Sequence, residues 1–130
     1  MKLGDKIKTA DWKSEKHVPF IEIPDEVKAG TPFTVNVSVG KEVSHPNTTE
    51  HHISWIDVFF QPESGGFTHQ VGHFVFRAHG ESTKGANEGP VHTNPDVAFS
   101  MQVAEPGFLV ALTLCNIHGL WEDSKEIKVV

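Results

Sequence analysis

The sequence predicts an all-β protein built as an antiparallel sandwich, and three observations carry that prediction. Phe33-Thr34-Val35-Asn36-Val37-Ser38-Val39 places an apolar side chain at every second position, the pattern of a strand that buries one face. Comparable short runs recur at roughly ten-residue spacing between turn-forming segments. No stretch carries apolar residues at helical period over a useful length. About seven such strands point to an immunoglobulin-like arrangement of two sheets, although one cysteine cannot make the immunoglobulin disulfide.

The first sixteen residues alternate Lys and Asp without an apolar run and are expected to form an irregular arm across one end of the sandwich. Strand-like runs then extend over His17 to Ile23, Phe33 to Val39, His51 to Gln61, Gln70 to Ala78, Val97 to Val103, Gly107 to Cys115 and Glu126 to Val130. Between them lie PDEVKAGTP, HPNTTE, PESGG, GESTKGANEGPVHTNPD and AEPG, rich in residues that turn a chain or break a ladder. The stretch from Gly80 to Asp96 reads as a long loop. A chain of 130 residues suits one compact domain, so residues 1–130 are expected to share a single core.

Eleven Lys and Arg against seventeen Asp and Glu give a net charge of -6, which disfavours sequence-independent nucleic-acid binding, since that requires phosphates to be neutralised. The N-terminal residues have the character of neither a signal peptide nor a membrane span, so a cytoplasmic location is expected. Two glycosylation-type triplets, at Asn36 and Asn47, are then chance matches. The lone Cys115 excludes an intramolecular disulfide, and nine histidines beside it make a metal site the first chemistry to seek.

Three segment ends carry the candidates. Glu15-Lys16-His17-Val18-Pro19 lies where the arm becomes the first strand, and His45-Pro46-Asn47-Thr48-Thr49-Glu50-His51-His52 is a loop stiffened by Pro46. Cys115-Asn116-Ile117-His118-Gly119 closes the apolar run from Phe108 to Leu114. A Cys-x2-His pair in a turn can aim both side chains at one ion. Four imidazoles and a thiolate exceed the three or four ligands zinc takes, and suit a redox metal with one position left for a small oxygen species. Iron is the first choice and copper the second. A blue-copper electron carrier is the main rival, but its usual set is two histidines, a cysteine and a following weak Met, whereas Met101 precedes Cys115. An interaction module with incidental histidines leaves the clustering at three segment ends unexplained.

The strings EKHVP, VGKE..HPNTTEHH, AHGES and CNIHGLWE resemble the superoxide reductases of the neelaredoxin-like, one-iron class, within the desulfoferrodoxin iron-binding family. Order and spacing agree from about Asp11 to Glu122. The resemblance implies one non-haem iron with His17, His45, His51 and His118 equatorial and Cys115 axial. It implies that His118 binds through Nδ1 and the other three through Nε2. It implies further that Glu15 fills the sixth position in the oxidised site and that Lys16 attracts superoxide and helps deliver protons. Superoxide would be reduced by one electron to hydrogen peroxide, and the iron re-reduced by rubredoxin or a similar small carrier. One-iron members commonly form homotetramers, with a homodimer as the alternative.

Without the resemblance, Glu15 and Lys16 would be an ordinary solvated charge pair. His52 follows His51 in a strand-like run, should face the opposite way, and reads as structural. His69, His73, His79 and His92 read as surface or hydrogen-bonded histidines. Trp55 and Trp121 read as packing residues, and Trp12 as a cap holding the arm to the sandwich.

Overall fold

The computed structural model describes all of residues 1–130. Strands β1 (Pro19–Glu22), β2 (Phe33–Val39) and β5 (Asp96–Met101) form one antiparallel sheet in the order β1-β2-β5. Strands β3 (Ile53–Pro62), β4 (His69–Val75), β6 (Gly107–Cys115) and β7 (Gly119–Ile127) form the second, also antiparallel, in the order β4-β3-β6-β7. The alternation predicted for β2 is realised: Phe33, Val35, Val37 and Val39 are buried and meet Ile53, Ile56, Val58, Phe60, Leu109 and Ala111 in one apolar core. Cys115 lies at one end of that core, 1% exposed.

The final strand departs from expectation. It begins at Gly119, directly after the Cys-x2-His turn, and ends at Ile127, whereas the apolar tail had suggested Glu126 to Val130. Charged residues from Glu122 to Glu126 hide its period because it runs at the outer side of β6, where only one face meets the core. The residues after it add only a bridge from Val129 to Val27. The N-terminal arm lies along β7 rather than across an end: Lys8 accepts a hydrogen bond from Glu122 N and donates one to the Leu120 carbonyl. That contact covers part of an edge that would otherwise expose unpaired backbone groups. Trp12 fastens the arm by stacking on Phe20 of β1, with ring centroids 3.8 Å apart.

Candidate metal centre

Strand register alone brings three distant segments to one end of the sandwich. Pro19 pairs with Val39, so the residue pair before β1 lies where β2 runs out into the loop carrying His45. Ile53 pairs with Cys115, which sets His51, two residues before β3, beside the end of β6. Cys115 in turn pairs with Gly119 across a three-residue hairpin loop. Such a loop needs a left-handed residue where the second strand starts, and Gly119 supplies it at φ 78°. The turn also aims the His118 N–H at Cys115 Sγ, 3.3 Å away.

The donor atoms converge. One from each of His17, His45, His51 and Cys115 lie within 4.8 Å of one another. His118 completes the group: its Nδ1 is 3.1 Å from His17 Nε2, 3.2 Å from His51 Nε2 and 3.6 Å from Cys115 Sγ. The outer nitrogens of two rings are already engaged. His17 Nδ1 donates to Glu15 Oε1 at 2.7 Å, and His45 Nδ1 donates to the Pro46 carbonyl at 2.7 Å. Their inward nitrogens therefore carry lone pairs. His45 Nε2 is buried without any partner, a costly arrangement for a polar atom unless a cation meets it. Several nitrogen lone pairs and a sulfur facing one point cannot satisfy each other with the few protons available, so the donor set fits a soft-to-borderline transition metal.

The electrostatics favour neutral rings. Burial, with the neighbouring His17, His51 and Lys16 charges adding to it, lowers the His45 pKa to about 4 against the opposing bond to the Pro46 carbonyl. Burial and the His118 and Lys16 charges also lower that of His51. A metal then competes with fewer protons for those nitrogens. Lys16 is thus close enough to act on both rings. Burial would raise the Glu15 carboxyl, but hydrogen bonds from the His17 ring and backbone N–H outweigh it and keep its pKa below the ordinary value. Glu15 accordingly sits on the outward nitrogen of His17, where it orients the ring, rather than among the donors.

Other side chains join the site without having stood out in the sequence. Trp121 lies against the His17 ring at 4.9 Å and 15°, donates from Nε1 to the His118 carbonyl, and has Lys8 Nζ 5.8 Å from its ring centroid. Asn116 accepts from His52 N and donates to the Glu50 carbonyl, tying the cysteine turn to the 45–52 loop. His52 turns away from the cluster, as alternation predicts; its Nδ1 bonds the Thr48 carbonyl and its ring stacks on buried His79. No local pattern could have revealed the contacts of Trp121 with His17, of Asn116 with the 45–52 loop or of His52 with His79, since each joins residues far apart in the sequence.

The desulfoferrodoxin family profile matches residues 9–124. The chain belongs to the desulfoferrodoxin family. Its relatives include the neelaredoxin of Megalodesulfovibrio gigas, 58% identical over 98% of each chain. The superoxide reductase of Pyrococcus furiosus is 50% identical over 93% of this chain and 95% of its own. The solved superoxide reductase (neelaredoxin) of Archaeoglobus fulgidus in the reduced form superposes with a TM-score of 0.87 at 48% identity. That superposition covers 94% of this chain and 98% of the other. Family membership and the histidine and cysteine cluster together point to iron binding.

Proposed function

We propose that this protein is a superoxide reductase, a single-domain enzyme whose iron is held by His17, His45, His51, His118 and Cys115. The observation that carries the reading is the convergence of these donor atoms around the buried, partnerless Nε2 of His45. Iron in this position would supply the single electron of the reaction, superoxide plus one electron plus two protons giving hydrogen peroxide. The residues do the rest. Lys16 provides local positive potential that draws an anion toward a chain of charge -6 and holds a water for proton delivery. The Glu15 carboxylate fixes the His17 ring and, released from it, would offer an oxygen donor to the oxidised iron. The exposed face of His118 keeps the site open to water, so protons arrive and product leaves without a channel.

An external donor, rubredoxin or a similar small carrier, would re-reduce the iron, because the one cysteine is already assigned to that site and leaves these residues no thiolate for a second iron centre. The N-terminal sequence supports a cytoplasmic location, and the resemblance supports a homotetramer, or homodimer. No helix is long and apolar enough to cross a membrane.

Anaerobic purification with metal analysis and an optical spectrum tests the central claim. One iron per chain and a visible thiolate charge-transfer band, lost on reduction, are expected, while copper in its place would favour an electron carrier. Cys115→Ser should abolish the band and nearly all peroxide formation while the sandwich still folds. An iron-loaded Cys115→Ser protein that keeps both would overturn the assignment.

A further inference from the structure

The loop from Gly40 to His52 delivers two of the proposed ligands yet contains no strand, so no sheet ladder fixes where His45 and His51 point. Asn116 of the cysteine turn holds its end at Glu50 and His52, and contacts made by the opposite loop, residues 79–93, hold the rest. His79, 3% exposed, is the buried member of these contacts. Its Nδ1 lies 2.8 Å from Asn47 Oδ1 and its Nε2 lies 2.8 Å from the Phe76 carbonyl. The Asn47 amide cannot be turned the other way, because its Nδ2 donates to the Thr93 carbonyl at 3.1 Å. The His79 ring also lies flat on His52, with centroids 3.6 Å apart and planes 5° apart. One ring therefore grips the residue two after His45 and the residue one after His51. The His79 backbone is itself held, donating from N to Glu81 Oε1 and bridging to His92.

We propose that His79 is a positioning residue for the metal centre, locking the 45–52 loop through Asn47 and His52 so that His45 and His51 reach the cluster already aligned. The inference rests on the metal reading above. Burial gives the His79 contacts their weight: an exposed hydrogen bond exchanges freely with water, whereas a buried donor or acceptor left alone keeps its full desolvation cost. The contacts to Asn87 at the exposed rim of the same loop lack that leverage. An unanchored loop would sample positions in which the two rings miss the ion, and the metal would have to order it on binding.

Titration of metal-free full-length protein with Co(II) against a competing chelator, followed by the thiolate-to-cobalt band, reads this directly. His79→Phe keeps a flat ring over His52 but removes the two ring nitrogens that face Asn47 and Phe76, and should weaken Co(II) binding about tenfold with a shifted band. Asn47→Ala should do the same while leaving His79 in place, so it serves if His79→Phe does not fold. The double variant should lose little more than either alone, because both act through one contact. The core variant Leu109→Ala supplies the control, lowering metal-free stability without changing Co(II) affinity. If the Asn47 and His79 variants bind Co(II) within twofold of wild type with an unaltered band, His79 is only a packing residue and the inference falls. If wild type itself gives no thiolate-to-cobalt band, the metal reading falls and takes the inference with it.

Discussion

Among single residues, the adjacent pair His51 and His52 shows how one step along an extended backbone separates two roles. His51 Nε2 faces the donor cluster, whereas His52 bonds the Thr48 carbonyl and stacks on His79. His51→Ala should therefore remove a proposed ligand and cost metal affinity about a hundredfold, and His52→Ala, which loosens only the loop, about tenfold. Chelator competition on both variants checks the order, and the reverse order would exchange their roles. The role proposed for Lys16 works at longer range. With a net charge of -6 the whole molecule repels superoxide, so fast capture needs local positive potential. Lys16→Ala should lower the second-order rate about tenfold at low salt and flatten its decline with ionic strength. Pulse radiolysis over a salt series measures both, and an unchanged rate and slope would assign steering to other charges.

At the scale of elements, the β6–β7 hairpin and the two facing loops do most to build the site. Strand β7 delivers Trp121 onto the His17 ring and against the His118 carbonyl. Trp121→Ala should lower stability by about 1 kcal/mol beyond the lost contact area and shift the charge-transfer band, because two proposed ligands lose a support. An unchanged spectrum would confine Trp121 to packing. The rim of the loop clamp carries its own pH signature. Hydrogen bonds from Asn87 and Thr49 hold the Glu50 pKa at about 2, against 4.5 for a free carboxyl. A depressed carboxylate stabilises the fold above the free value, and that stabilisation is lost as pH falls from 4.5 toward 2. In a carbon-13 titration Glu50 should protonate near 2 in wild type and closer to 4.5 in Asn87→Ala, and identical curves would refute the clamp.

For the molecule as a whole, the core and the site are separable. Leu109 is fully buried far along β6 from the cysteine turn, so Leu109→Ala should cost 2–5 kcal/mol, about the range for large core truncations, in urea unfolding and leave the metal spectrum unchanged. The sequence alone determined the sandwich, because valines at every second position of Phe33–Val39 can bury one face only as a strand. It also pointed to the ligand candidates, because three segment ends held histidines or a cysteine at spacings a metal can use and in strings that resemble a known family. It missed β7, whose charged middle hides its alternation, and it could give Trp121, Asn116 and His79 no place beside the site. Only the tertiary structure decided those, because the register of Ile53 on Cys115 and the packing of the loop after β4 onto the loop before β3 join residues that share no local pattern. Glu15 shows the same division: its proximity to His17 is written in the sequence, but its seat on the outward nitrogen follows from the direction in which the folded chain turns that ring.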